Sequence, residues 1–415
     1  MSRSDKSIRG SWGDELSGRR IAHCVTGSVS IYRTPDLARS FIRHGGDVIP
    51  VMTSDAAKLL SPQLLEWATG NQPIVEITGR VEHVELTEGE GKVDLVLVAP
   101  ASANTLVKMS IGASDNPVTL VCSAALGAGI PVVVAPAMHA SMAGNPAVKD
   151  ALKRLEEMGV SVVAPLFEES KAKLAPEQHI LEEVIYRLTP KPLKGKKFVV
   201  SAGPTREHID QVRFISNPSS GLMGIEVARS LRMLGGQVTL ILGPTHLTPP
   251  QGVETIRAVS TQEMEKAVLK AAQGSEAFFS AAAVADYKPV NTMGEKIATS
   301  THPRITLELE ATPKILESVR RSVSEIEIIP FKATYGEEKP EKILNSLSSL
   351  NPLMIVINDV SRSDIGFASP FNEVTVIGRS GRLHHLPKSR KSAIARRIIE
   401  LYMEEKGITR EAPYR

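Results

Sequence analysis

The chain has 415 residues, more than one ordinary core accommodates, so two domains of about 150–200 residues are expected. Hydrophobic residues make up 42% and charged residues 23%, and a net charge of only +3 gives no ground for a nucleic-acid or membrane partner. The two cysteines, Cys24 and Cys122, form neither a disulfide framework nor a metal-ligand spacing; with a polar stretch at 1–20 and no run of about 18 apolar residues, a cytoplasmic protein is expected.

Short apolar runs alternate with helical patterns along the chain. In the first half they fall at 21–25, 48–53, 93–99, 118–122, 132–135 and 160–164, and consecutive apolar residues over such lengths suit strands of a parallel sheet covered on both faces. Between the first two runs, Thr34 reads as a helix N-cap with Pro35 at the first helical position. Leu37, Phe41 and Ile42 make one apolar face, and Gly45-Gly46 stops the helix. At 189–195 two prolines and a lysine cluster interrupt all periodicity, and 191–197 reads as a solvated linker. This divides the chain into a tail (1–19), a first domain (20–188), a linker (189–195) and a second domain (196–415). In the second domain apolar runs lie at 198–201, 238–242, 277–281, 326–330, 354–357 and 374–377, and a helix at 222–234 stops at Gly235-Gly236. Each half opens as strand, turn, helix, strand. The expected fold class is α/β: two Rossmann-like or flavodoxin-like doubly wound domains, each a mostly parallel sheet flanked by helices.

The turn after the first strand is Thr26-Gly27-Ser28-Val29-Ser30, and the second strand ends in Met52-Thr53-Ser54. Backbone N–H groups and hydroxyls at the carboxyl ends of neighbouring strands suit an anionic phosphate. Three further segments carry more information: Glu82-His83-Val84-Glu85-Leu86, Pro100-Ala101-Ser102-Ala103-Asn104-Thr105 and Pro136-Ala137-Met138-His139-Ala140-Ser141-Met142. Together they resemble the homo-oligomeric flavin-containing cysteine decarboxylases, over about residues 20–185. The resemblance implies FMN at the strand ends, held by Gly27, Ser28, Thr53, Ser102, Asn104, Ser123 and Met142, with His83 as the base acting on a cysteine-derived substrate. Histidine suits that role because its pKa lies near neutrality. The flavin supplies a transient electron sink that an unactivated carboxylate lacks, so the decarboxylation is redox-neutral. Two departures stand out. His139 occupies the place of the family's carboxylate-binding asparagine, though an imidazole can still donate a hydrogen bond. The segment 165–174 lacks the family's proton-donating cysteine, so Lys171 or Lys173 is expected to donate the proton or to hold a substrate phosphate.

In the second half a long polar loop ends in Asn217-Pro218-Ser219-Ser220-Gly221 at a helix start, whose unsatisfied N–H groups suit a phosphate. Arg206 and Arg213 add charge for an anionic substrate. The lysine of a Walker motif is missing. The stretch 202–224, then Ala281-Ala282-Ala283-Val284-Ala285-Asp286-Tyr287, Glu295-Lys296-Ile297 and Asn358-Asp359-Val360, resemble in order the motifs of phosphopantothenate–cysteine ligases, over about residues 195–400. The resemblance implies a nucleoside triphosphate, CTP or ATP, with Mg2+ or Mn2+, bound by Ser219, Ser220, Gly221, Ser280, Ala281, Ala282, Asp286, Lys296 and Phe331. The carboxylate of 4′-phosphopantothenate would attack the α-phosphate, pyrophosphate would leave, and the amine of cysteine would attack the acyl nucleotide. Lys296 would stabilise the α-phosphate and Asn217 would handle the acyl intermediate, while Arg206 and Arg213 would face the substrate. Ala298-Thr299 after Ile297 and Lys332-Ala333-Thr334 after Phe331 depart from the family pattern and leave the choice of nucleotide open.

With both halves in this order, the chain is similar to the bifunctional decarboxylase/ligases of coenzyme A biosynthesis, which carry 4′-phosphopantothenoylcysteine from one reaction to the next. A closed homo-oligomer is implied, trimeric through the flavin domain and dimeric through the ligase domain. Two other readings stay open: a ligase whose flavin domain no longer decarboxylates, and an FMN-binding regulatory protein.

Overall fold

In the computed structural model, which describes residues 7–168, 171–298, 304–336, 338–362, 364–366 and 369–409, the first apolar run forms β1 (Arg20–Val25), buried from Ile21 onward. It pairs in parallel with β2 (Asp47–Met52) and β3 (Leu95–Ala101); β4 (Val132–Pro136) and β5 (Ser161–Val162) extend the sheet in the order β2-β1-β3-β4-β5. Ile21, Phe41, Leu97 and Val133 pack on one face, Cys24, Val51, Val98 and Val121 on the other. A sheet covered on both faces accounts for strands that are apolar at consecutive positions, as in β3.

Two local expectations need correction. The run 118–122 is not a strand but the middle of a helix, Pro117–Gly127. Asn116 accepts from the Thr119 N–H while the Thr119 hydroxyl accepts from the Asn116 N–H, and Pro117 fits the first turn, so a reciprocal cap outweighs the strand-like apolar content. Thr34 is not a capping side chain. It lies within the helix Thr34–Arg43, and its buried hydroxyl has no partner among the described residues; the chain enters that helix from a short 3-10 turn, Val29–Arg33.

After β5, Leu166–Glu168 and Lys171–Lys173 join Met138–His139 in a small antiparallel sheet that sets His139 opposite Lys171. Glu169 and Ser170, within the segment that lacks the cysteine, lie outside the described residues, as do Thr299 and Ser300.

Contacts divide the chain into two compact units, Met1–Thr189 and Pro190–Arg415. The segment read as a solvated linker is packed onto the second unit. Leu193 is fully buried and its N–H donates to the Leu234 carbonyl (3.0 Å), and the Lys191 ammonium donates to the Met233 carbonyl (2.9 Å) at the end of the helix Leu222–Met233.

The second unit is an eight-stranded sheet of β6 (Lys197–Ala202), β7 (Gln237–Leu242), β8 (Glu254–Arg257), β9 (Ala277–Ser280), β10 (Glu327–Thr334), β11 (Met354–Asp359), β12 (Phe371–Gly378) and β13 (Leu383–Arg390). Its order is β8-β7-β6-β9-β10-β11-β12-β13, parallel as far as β11 and antiparallel beyond it. The run 374–377 therefore belongs to the antiparallel end of the sheet, where the four-residue turn 379–382 joins β12 to β13 and is too short for the crossover that parallel strands need. The helices Leu222–Met233 and Lys391–Glu405 cover one face, and Thr261–Ala272 and Ile315–Ser322 the other. Strand order reverses between β6 and β9, which opens a crevice at their carboxyl ends. No helix among the described residues is long and apolar enough to cross a membrane.

Candidate active sites

In the first unit one buried hydroxyl fastens the strand ends together. Thr26 Oγ1 donates to the Pro100 carbonyl (2.7 Å) and accepts from the Ser102 N–H (2.9 Å). The Ala137 N–H donates to the Ala101 carbonyl (3.1 Å), and Ser28 Oγ donates to the Ala137 carbonyl (3.2 Å). The turns after β1, β3 and β4 thus meet, bringing Gly27, Ser28 and Ser102 to one edge. Thr53 joins them from β2: a Cβ on Gly27 would lie 3.0 Å from the Cβ of Asp55, two residues further on. Thr53 and Ser102 each cap the following helix, accepting from the Ala56 and Thr105 N–H groups, and Asn104 is exposed in the first turn of the second of these.

His139 and Met142 follow directly from Ala137. His139 is exposed, with Nδ1 3.0 Å from Ser141 Oγ, and Met142 is exposed as well. Lys171 is exposed opposite His139, and Lys173 pairs with Glu168 at 3.2 Å. His83 lies on a short helix, Glu82–Thr87, packed against the helix that carries Ser123. Its Nδ1 is buried without a hydrogen-bond partner among the described residues, the kind of orphan that a bound group satisfies. Ser123 is exposed in the middle of its helix.

The second unit holds a cavity of about 340 Å³ at the reversal point of its sheet. Backbone packs closely on backbone beside its Gly221 lining. A Cβ on Gly221 would lie 3.1 Å from the Cα of Gly203, and one on Gly203 would lie 3.3 Å from Gly243, so three loops touch where no side chain fits. Asn217 forms one wall, its Nδ2 donating to the carbonyls of Ala283 (3.2 Å) and Val284 (3.0 Å). Ser219 and Ser220 accept from the N–H groups of Gly221 and Leu222 at the helix start, and Thr245 Oγ1 donates to the Ser220 carbonyl (2.7 Å). Ser280, Ala281, Ala282, Asp286 and Phe331 line the same cavity. Asp286 pairs with Lys314 at 2.6 Å, and Thr312 supports that corner by donating to the Ala285 carbonyl (2.6 Å).

Three expected residues lie elsewhere. Arg206 stacks on the Phe214 ring, 4.3 Å from its centroid, in the hairpin Arg206–His208/Phe214–Ser216. Arg213 binds the buried carboxylate of Asp210 (2.7 Å) and the Ile297 carbonyl (3.0 Å). Asp210 also accepts from the N–H groups of Arg213, Val212 and Ile297, which hold its pKa down at about 2. Lys296, beside Ile297, is exposed on the segment tethered to this hairpin and is not among the residues lining the cavity.

Sequence reasoning missed Thr312, Lys314, Asn372 and Lys391, all in the cavity lining. Lys391 is 4% exposed and opens the helix Lys391–Glu405, where burial pushes its ammonium down to about 8. A signal for it existed: Lys391, Ile394, Ala395, Ile398, Ile399 and Tyr402 repeat at helical spacing on one buried face. Among the described residues no group of three or more His, Cys, Asp or Glu is arranged to hold a metal ion.

Two family descriptions match in series, Flavoprotein over residues 10–189 and DNA/pantothenate metabolism flavoprotein C-terminal domain over residues 193–405. The Coenzyme A biosynthesis bifunctional protein CoaBC of Thermococcus kodakarensis is 39% identical over 391 residues, covering 92% of this chain and 94% of its own. Its counterpart in Vibrio parahaemolyticus is 34% identical, covering 94% and 99%. A solved structure of the C-terminal domain of a CoaBC protein is 34% identical, with a TM-score of 0.45, and covers 52% of this chain and 98% of its own.

Proposed function

Since the chain belongs to the family of coenzyme A biosynthesis bifunctional proteins, we propose that its second unit ligates cysteine to 4′-phosphopantothenate and its first decarboxylates the resulting 4′-phosphopantothenoylcysteine to 4′-phosphopantetheine. It is an enzyme with two activities, a carbon–nitrogen ligase and a carboxy-lyase. The observation that carries the ligase assignment is the single cavity that gathers Asn217, the Ser219–Ser220–Gly221 helix start, Asp286 and Phe331.

In the ligase, the N–H groups at the helix start face phosphate, and Asn217 holds the wall formed by Ala283 and Val284 against which the acyl group lies. CTP or ATP is the activating triphosphate, accompanied by Mg2+ or Mn2+; Lys296 is the cation we assign to its α-phosphate, and Arg206 and Arg213 we assign to the substrate side, although none of the three is among the described residues that line the cavity. A carboxylate becomes a competent acyl donor only once a nucleoside monophosphate replaces its oxide as leaving group, and the developing charge needs fixed donors.

In the first unit, the donor set of small-residue turns, hydroxyls and an orphaned imidazole nitrogen fits FMN and its substrate. Gly27, Ser28, Thr53, Ser102 and Asn104 hold the phosphate and polar edge of the cofactor, with Ser123 and Met142 flanking it. Bound there, FMN supplies a transient electron sink. His83 moves the substrate proton through its unsatisfied nitrogen, His139 orients the substrate carboxylate, and Lys171 or Lys173 supplies the final proton. A cytoplasmic homo-oligomer completes the proposal.

Mass spectrometry of products from 4′-phosphopantothenate, cysteine and each triphosphate in turn tests both halves. Formation of 4′-phosphopantetheine with one of the triphosphates is expected. Accumulation of 4′-phosphopantothenoylcysteine with no loss of CO2 would favour the alternative of a silent flavin unit, to which the exposed His139 and the missing cysteine point.

A further inference from the structure

We propose that Lys391, acting with the N–H groups at the start of the helix Leu222–Met233, binds a phosphoryl group of the ligand that enters the ligase cavity. The assignment rests on the ligase reading above. Both features line the same cavity, and the two helices that present them pack side by side on one face of the sheet. Asn372, which lines the same cavity, is 5% exposed, and its Nδ2 lies 3.8 Å from the sulfur of Met223, the second residue of the helix Leu222–Met233. The Lys391 N–H donates to the Pro370 carbonyl (2.9 Å) and its Nζ to the Gly366 carbonyl (3.2 Å), so the loop after β11 aims the side chain inward.

Burying an ammonium is costly, and here burial is what lowers its proton affinity. A bound phosphoryl group would reverse that, because an anion within contact distance favours the charged amine. The charge of the described lining residues agrees: Lys314, Lys332 and Lys391 stand among them with the carboxylate of Asp286, which Lys314 engages. The phosphate recognised could belong to the nucleotide or to 4′-phosphopantothenate, and the two are separable by titration.

The test is calorimetric titration of the full-length protein, wild type, Lys391→Met and Lys391→Arg, with Mg·CTP, Mg·ATP and 4′-phosphopantothenate separately. Lys391→Met should weaken at least one of these ligands by about tenfold or more, as loss of a charge-assisted contact does, and Lys391→Arg should recover most of the loss. The ligand that suffers identifies the phosphate. Affinities within about twofold of wild type in Lys391→Met, or an equal loss in Lys391→Arg, would overturn the proposal, the latter marking a purely structural lysine. Should Lys391→Met not fold, a crystal structure of the wild type with CTP and 4′-phosphopantothenate decides: no phosphate oxygen within about 3.5 Å of Nζ also overturns it. A wild type that binds none of the three ligands would sink the ligase reading itself, and this inference with it.

Discussion

Replacing Asn217 with aspartate changes one atom and reverses the polarity of a cavity wall. The native amide gives both of its N–H donors to backbone carbonyls, Ala283 at 3.2 Å and Val284 at 3.0 Å. Each such bond is worth about 0.5–1.5 kcal/mol net, so Asn217→Ala should destabilise the ligase unit by about 1–3 kcal/mol. Asn217→Asp sets a carboxylate against the same two carbonyl oxygens and should cost more, about 2–4 kcal/mol, which for a unit of this size lowers the melting temperature by roughly 5–15 °C. The displaced 281–284 wall should weaken CTP binding in parallel, since Ala281, Ala282, Ala283 and Val284 line the cavity. Differential scanning calorimetry of the three proteins, with CTP titrations, provides the measurement. If Asn217→Asp melts with the wild type and binds CTP equally well, the wall does not depend on this amide. The acyl nucleotide would then be the place to look for its role, by quenched-flow detection of an accumulating intermediate.

Thr26→Val keeps the shape of a buried side chain but strands the Pro100 carbonyl and the Ser102 N–H, so a loss of about 1–3 kcal/mol and faster flavin release are expected, with Thr26→Ser close to wild type; equal melting of Thr26→Val and wild type would refute the fastening role. Asp210, with its folded pKa lowered to about 2, contributes stability that is present above its unfolded value near 4 and fades as pH falls from about 4 to 2. Asp210→Asn should therefore be less stable than wild type at pH 7, and urea titrations should show the gap closing across that acid window; a gap independent of pH contradicts the assignment. His83→Asn should abolish CO2 release while ligation proceeds, measured as 14CO2 against phosphopantothenoylcysteine formed. Lys296→Gln should slow acyl-nucleotide formation by about 10²–10³ if it meets the α-phosphate, and a wild-type ligation rate would leave it a surface lysine.

Most of the sheet framework was legible because buried parallel strands are apolar at consecutive positions, as in 95–98 or 198–200. The run at 118–122 has the same content, and only the Asn116–Thr119 cap distinguishes it, a signal of specific side chains that apolar counting passes over. Strand direction at 374–377 was not legible, since alternation carries no polarity and the length of the connections decides. In the site, Asn217, Ser219, Ser220, Gly221 and Asp286 could be read because they sit on loops that leave strand ends directly. Thr312, Lys314 and Lys391 come from distant elements and reach the cavity only through tertiary packing. Lys296, in turn, has neighbours in sequence that point to the nucleotide and neighbours in space that belong to the Asp210 hairpin.

The backbone contact among Gly203, Gly221 and Gly243 bears on how the ligase unit comes to life after synthesis. The contact has no side-chain rotamers that could compensate for a misplaced loop; it exists only when the loops at residues 203, 221 and 243 have all closed. Close backbone packing of this kind needs the native fit of its elements, and a collapsed chain that keeps its helices but lacks its final packing would not have the contact. With the triphosphate bound at this helix start, as we propose, its binding would report finished folding, and an aggregation-prone variant would lose it before losing its helical circular dichroism signal.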